Sequence, residues 1–172
     1  NDFPYGKTER YTYSSGFADP RLNHNLLTVT APREVALAGP ARVQFQYETN
    51  TASPDVDKVL VQTLGGTNAS GIPAGGNITY AYASVSGSPP GAVSKTTVTD
   101  RKGNVTEHYW DLGNRAVSVR EFTRNLHPGE PAYYETTHLY NADSLKTRTV
   151  HPEGDSVDYV YDSANPDRRQ QG

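Results

Sequence analysis

Two thirteen-residue stretches of this chain align without a gap, and that repeat limits the fold more than any other feature. The first runs Thr99-Asp100-Arg101-Lys102-Gly103-Asn104-Val105-Thr106-Glu107-His108-Tyr109-Trp110-Asp111. The second runs Val150-His151-Pro152-Glu153-Gly154-Asp155-Ser156-Val157-Asp158-Tyr159-Val160-Tyr161-Asp162. In both, Gly closes a polar turn, an aromatic residue follows seven positions later (Trp110, Tyr161), and Asp comes directly after it. Each stretch therefore reads as a turn feeding a strand. An isolated two-stranded hairpin is marginal in water, so a chain built this way must stack its hairpins edge to edge.

Weaker copies extend the pattern. Gly75 precedes Tyr82 by the same seven positions, and Tyr140-Asn141-Ala142-Asp143-Ser144-Leu145 matches the aromatic end of the repeat. Thr28-Val29-Thr30-Ala31-Pro32 matches the strand entering a turn, and Tyr47-Glu48 matches its exit. Strand alternation accompanies these copies: Val43, Phe45 and Tyr47 share one face, as do Ile78, Tyr80 and Tyr82, and then Val157, Tyr159 and Tyr161. The stretch 117–126 has the nearest thing to helical spacing, but its Val-Ser-Val alternation favours a strand. Only 34% of residues are apolar, while Tyr supplies 12 residues, Gly 15 and Pro 12. The expectation is an all-β fold of antiparallel hairpin repeats in a curved, largely single-layered sheet, with very little helix and thin packing. Loops are expected at 65–76, at 84–92 (a flexible surface excursion) and at 125–131. Asp100-Arg101-Lys102-Gly103-Asn104 and His151-Pro152-Glu153-Gly154-Asp155 are each expected to form a turn ending in a Gly able to take positive φ, and Leu112-Gly113-Asn114 is expected to form another.

At these residues the chain resembles the YD-repeat, or RHS-repeat, family. The pattern comprises a strand, a turn of Thr-Asp-Pro-x-Gly-Asn type, a strand ending in Tyr-Asp, and a second turn with Gly then Arg or Leu. Asp100, Gly103, Asn104, Trp110, Asp111, Gly113 and Arg115 fit it, as do Tyr140, Pro152, Gly154, Tyr161 and Asp162. The chain departs from it where Trp110 replaces Tyr, where Arg101 replaces the turn Pro, and where Glu34 stands in place of a Gly. The resemblance covers residues 1–172 as one region of four or five degenerate copies. It implies a fragment of a β-shell: a structural wall segment of a secreted or cell-surface protein that encapsulates a toxin effector. Implied partners are adjacent repeats of the same precursor and the enclosed effector. Open sheet edges are expected to invite self-association. The alternative expectation is a cell-surface adhesin or carbohydrate-binding module, with Tyr109 or Trp110 stacking on a glycan.

No catalytic, cofactor or metal site is expected. The histidines (His24, His108, His127, His138, His151) lack the helical i, i+4 spacing of a zinc motif, and there is no Cys. His108 and His138 each precede a motif aromatic by two residues, which makes them candidate neighbours on one face. Ser14-Ser15-Gly16 and Ser86-Gly87-Ser88 lack the context of a nucleophile elbow. Gly65-Gly66 and Gly75-Gly76 are not followed by the Lys-Ser or Lys-Thr of a phosphate loop. The recurring aspartates are accounted for by turns, and the loops lack the spacing of a calcium loop. Asn68-Ala69-Ser70, Asn77-Ile78-Thr79 and Asn104-Val105-Thr106 are glycan-acceptor triplets, the last also being ordinary repeat sequence. A net charge of −3 argues against nucleic acid, and no apolar run is long enough to span a membrane. Methionine is absent even from position 1, so the chain is expected to be either cut from something larger or processed at its terminus.

Overall fold

A computed structural model describes residues 5–65 and 75–162. Eleven strands follow one another in sequence order through one open antiparallel sheet. They are β1 (Arg10–Tyr13), β2 (Leu26–Thr30), β3 (Val43–Tyr47), β4 (Val59–Leu64), β5 (Gly76–Ser84) and β6 (Ser94–Thr99), followed by β7 (Val105–Trp110), β8 (Ala116–Phe122), β9 (Tyr133–Tyr140), β10 (Lys146–Val150) and β11 (Ser156–Asp158). Among the described residues, helix is confined to α1 (Pro32–Ala36) and a 3-10 turn at Pro20–Leu22. The chain divides into two compact units, Asn1–Ala81 with Val98–Gly103, and Tyr82–Thr97 with Asn104–Gly172.

In the first unit the alternation works as the sequence implies. Val43, Phe45 and Tyr47 are half-buried, while Gln44 and Gln46 are exposed. Ile78 and Tyr80 are half-buried between exposed Asn77, Thr79 and Ala81. The cross-strand partners Thr12↔Thr28, Thr28↔Gln44, Gln44↔Thr63 and Thr63↔Asn77 place a polar row on one face. Leu22 is the one strongly buried apolar side chain here among the described residues, and Ser14 lies beside it, its hydroxyl 2.6 Å from the Leu22 carbonyl.

Between β2 and β3 the repeat turn is replaced by α1. Glu34 stands where a turn Gly belongs, and a Glu takes positive φ only at a steric cost. The chain instead starts a helical turn at Pro32, whose missing N–H is no loss at a helix start. The left-handed residue is displaced to Ala38, with φ 51°. Glu34 is buried by this detour and held at 2.7 Å by Arg42, a bond that keeps its carboxyl below the usual range against the opposing effect of burial.

In the second unit the 117–126 stretch enters β8 and is strand through Phe122. The 84–92 loop lies on the surface as expected, with Ser86, Gly87, Ser88, Pro90 and Gly91 exposed, and it is pinned at two buried points. Pro89 and Ala92 are buried, Ala92 N–H donates to the Pro89 carbonyl, and Val93 N–H donates to the Trp110 carbonyl. A prolyl pair exposes little backbone that needs water, so this loop can lie down on the sheet. The alternation expected for Val157, Tyr159 and Tyr161 fails in part. β11 ends at Asp158, Val157 and Tyr159 are exposed, and only Tyr161 is half-buried. Among the described residues β11 pairs only with β10, and a strand paired on one side has less to cover its faces.

Candidate functional site

The motif residues gather at two recurring structures, a turn and an aromatic latch. The turn is a type I reversal followed by a left-handed residue, a common three-residue hairpin loop. N–H of the fourth residue donates to the carbonyl of the first in four turns: Gly103 to Asp100 (2.9 Å), Asn114 to Asp111 (3.0 Å), Ser144 to Asn141 (3.0 Å) and Gly154 to His151 (2.9 Å). The fourth residues have φ of 80°, 57°, 64° and 90°. In the last three copies the first residue's N–H donates to the carbonyl of the fifth, at 2.9–3.1 Å. Pro152 takes the second position, where its fixed φ suits a type I turn.

Gly113 does not hold the positive φ that its place in the sequence suggests; Asn114 does. Asn tolerates the left-handed region because its short side chain bonds locally, so the backbone requirement moves one residue along. Gly113 serves by being small. A Cβ there would sit 3.3 Å from Asp111 Oδ1 and 3.4 Å from Arg115 Nε.

That space is needed because Asp111 organises the whole reversal. Its Oδ1 accepts from Gly113 N–H (2.8 Å) and Arg115 N–H (3.0 Å), and its Oδ2 accepts from Arg115 Nε (2.7 Å). Burial raises its pKa, but the Arg115 bonds prevail and hold the carboxyl below its ordinary value. Asn141 repeats the arrangement with a neutral amide, accepting from the N–H groups of Asp143 and Leu145 at 3.0 Å each. Asp100 accepts from Lys102 N–H at 2.7 Å. Arg115 then links one turn to the next. Its guanidinium lies 5.1 Å from the Tyr140 ring centroid and donates to the Asn141 carbonyl at 3.3 Å. A cleft of about 330 Å³ opens beside this group, lined by Pro89, Pro90, Asp111, Arg115, His138 and Tyr140 among others.

The latch explains the aromatic residue. Tyr140, at the end of β9, donates its hydroxyl to the carbonyl of Ala116 at the start of β8 (2.9 Å). Tyr161 does the same to Lys146 at the start of β10 (2.8 Å), and Tyr47 to Leu26 at the start of β2 (3.0 Å). Trp110 substitutes an indole: its Nε1 donates to the Thr96 hydroxyl on β6 at 3.1 Å. Each ring thus covers the preceding strand and satisfies a group near that strand's first residues. Burial raises the phenol pKa of Tyr140, and of Tyr47 with help from Asp57. Asp162 follows Tyr161 in the exposed segment beyond β11, as Asn104 follows the Gly103 turn into β7.

Sequence reasoning missed a third structure, a buried polar rung crossing β6 to β9. Tyr109 is 4% exposed and Ser118 0%. The Tyr109 hydroxyl donates to Glu107, which also accepts from Lys95. Arg120 lies 4.8 Å from the Tyr109 ring and 4.7 Å from the Tyr133 ring, and its Nε donates to Glu135 at 2.9 Å; Ser118 donates to the same oxygen at 2.6 Å. Burial pushes the Glu107 pKa up, yet the Lys95 and Tyr109 bonds bring it below the ordinary value. These residues alternate along their strands like any strand face. The cue available in the sequence was their charge order across adjacent strands, Lys95, Glu107, Arg120, Glu135, which only the register reveals.

No family model matches the chain, and no curated protein matches it either. The site's chemistry must therefore be read from its own geometry. Tyr109 has no free face for a sugar, and Trp110 is half-buried, bonded to Thr96 and stacked on His108 at 6.1 Å. His108 and His138 stand two strands apart, His108 opposite Val119 on β8 and His138 against the Thr149 hydroxyl on β10. Among the described residues, no three His, Cys, Asp or Glu side chains gather around a point where a metal would sit. No helix of the described residues is long and apolar enough to cross a membrane. Asn68-Ala69-Ser70 and Gly66 lie outside the described residues, as does Arg168-Arg169, the nearest thing to a basic cluster in the sequence. Of the other acceptor asparagines, Asn77 is exposed and accepts from the Thr63 hydroxyl at 3.0 Å.

Proposed function

We propose that this chain is a structural wall segment of a secreted YD-repeat (RHS-type) protein that encloses or carries a toxin effector, with no catalysis of its own. The observation that supports this reading best is the reuse of motif residues. Tyr140 and Tyr161 each clamp the preceding strand, while Asp111 and Asn141 each build the reversal that follows. Side chains committed to holding strand to strand are what a wall requires, and they leave the motif positions no free group to act on a substrate. A wall of hairpins extends by adding copies without altering the copies already present.

The test is limited proteolysis of the full-length precursor. The reading predicts many further copies of the hairpin on either side of this stretch. It also predicts that a carboxy-terminal effector in the intact precursor resists a protease that digests the same effector expressed alone. An effector cut equally fast in both settings, or a precursor lacking further copies, would refute it.

A further inference from the structure

The loop 14–25 joins β1 to β2 and closes as the Asp111 turn closes. Ser14 N–H donates to the Asn25 carbonyl at 2.8 Å, as Asp111 N–H donates to that of Arg115 at 3.1 Å. The Ser14 hydroxyl accepts from Asn25 N–H at 2.9 Å, the part that Asp111 Oδ1 plays for Arg115. Residues 111–115 make this closure with far fewer residues, so the length of 14–25 serves something other than the reversal. The loop is nonetheless held firmly. Leu22 is buried within it, and Asn23 grips Phe17 by both backbone groups: its Oδ1 accepts from Phe17 N–H at 3.1 Å, and its Nδ2 donates to the Phe17 carbonyl at 3.0 Å. A fixed backbone thus presents a ring that is 41% exposed. Binding groups are typically carried in this way, on loops positioned by a rigid scaffold.

A pocket of about 480 Å³ opens beside that ring, within the range of roughly 300–1,000 Å³ common to small-ligand sites. Phe17, Phe45 and Tyr47 supply aromatic surface to it, and Ser15, Asn25 and Thr49 supply polar groups. Asn25 Nδ2 donates to Asp57 at 2.6 Å, which leaves Oδ1 as its acceptor. Among the described residues, none that lines the pocket is charged, and the loop's Asp19 and Arg21 pair with each other at 2.7 Å. A charged ligand would give up its hydration here without a counter-charge. The lining suits a molecule that is uncharged, apolar on one face and rich in hydroxyls at its rim. We propose that this pocket binds a neutral sugar, with the Phe17 ring against its C–H face and Ser15, Asn25 and Thr49 bonding its hydroxyls. The site uses no strand edge, so it is compatible with further hairpins on either side. It goes beyond the wall reading and does not depend on it.

The test is calorimetric titration of the chain with neutral oligosaccharides ending in glucose, galactose, mannose or an N-acetylhexosamine, alongside sialylated and sulfated counterparts and a proline-rich peptide. Saturable binding of a neutral sugar is expected. Phe17→Ala should weaken it at least about tenfold, because an aromatic stack and the area it covers supply that much. Phe17→Tyr keeps the ring and should stay within about threefold. Thr49→Ala leaves the anchors of the loop intact and should weaken binding about threefold through one lost hydrogen bond. Tyr134→Ala removes an exposed ring elsewhere and should change nothing, and all four variants should keep the wild-type circular dichroism spectrum. No binding of any neutral sugar, binding of the acidic ones alone, binding of the peptide in their place, or a Phe17→Ala variant that binds like wild type would each overturn the proposal. The outcome is separable from the proteolysis test, since neither an effector nor further hairpins enter it.

Discussion

Asp111 combines two contributions to its turn, the capping of backbone donors and an ion pair with Arg115, and two substitutions pull them apart. Its side chain supplies Oδ1 to the N–H groups of Gly113 and Arg115, and Oδ2 to the Arg115 guanidinium. Asp111→Ala removes all three bonds and leaves two backbone donors of a tight turn without a partner. At about 1 kcal/mol for each lost backbone bond, plus a smaller loss from an ion pair whose Arg115 end is partly exposed, the cost comes to about 2–3 kcal/mol. Asp111→Asn keeps Oδ1 and loses only the charged bond, at about 1 kcal/mol or less. Asn141 shows that a neutral amide builds this reversal unaided, since its Oδ1 holds both the Asp143 and Leu145 N–H groups. The assay is urea unfolding followed by the fluorescence of Trp110, the only tryptophan, which immediately precedes the site. The expected order of midpoints is wild type, then Asp111→Asn close behind, then Asp111→Ala well below. Equal losses in the two variants would mean that the ion pair, and not the capping of backbone donors, fixes the turn.

Three further outcomes follow from the same geometry. Tyr140→Phe and Tyr161→Phe each delete one hydroxyl bond to a strand-start carbonyl and should each cost about 1 kcal/mol, while Tyr134→Phe, on an exposed ring, should cost almost nothing in the same urea assay. Gly154→Ala places a Cβ at φ 90° and should cost about 1–2 kcal/mol, whereas Asn114→Gly should be near neutral; thermal melting of both variants decides it. Asp111 and Glu107 both have carboxyls held below their ordinary values, so their contribution is complete above the unfolded range near pH 4–4.5 and is lost as pH falls through the folded values. The acid limb of a stability–pH curve should therefore flatten in Glu107→Gln, and an unchanged limb would count against Glu107 as a contributor.

How much of this was legible in the residues depends on whether a role was local. The turns at Asp100 and His151 were readable because Gly marks positive φ and Asp or Pro marks the entry, all within five residues. The Asp111 turn was read one residue out of place, because Asn114 carries the φ that a Gly would advertise. α1 shows the same rule from the other side: Glu34 signalled a broken copy, but nothing in the residues announced that the chain answers with a helical turn and shifts the left-handed residue to Ala38. The 84–92 loop was legible as surface, but Ser, Gly and Pro mark irregular backbone and are silent on the buried anchors at Pro89 and Ala92. The latches and the polar rung were out of reach for a different reason. Tyr140 reaches a carbonyl 24 residues back and Tyr47 one 21 residues back, and no fixed spacing announces that pairing.

The latches also suggest why an aromatic with a polar edge recurs at the end of these strands where an aliphatic residue would bury more cheaply. The sheet lacks a thick core; Leu22, Ala92 and Tyr109 are the strongly buried apolar side chains among the described residues. With so little apolar area to remove from water, each strand boundary needs its own fastening, and the first carbonyls of a strand are groups the ladder leaves least protected. A Tyr or Trp at the end of the next strand covers apolar surface with its ring and satisfies a polar group with its tip. Phe would supply only the ring, and Ser only the tip. Trp110 meeting Thr96 through an indole nitrogen, where Tyr140 and Tyr161 meet carbonyls through a phenol, indicates that the selected property is this pairing of ring and donor, not the tyrosine itself. Trp110→Tyr should therefore keep most of the stability that Trp110→Leu loses, and the reverse order would show that ring volume alone sets the position.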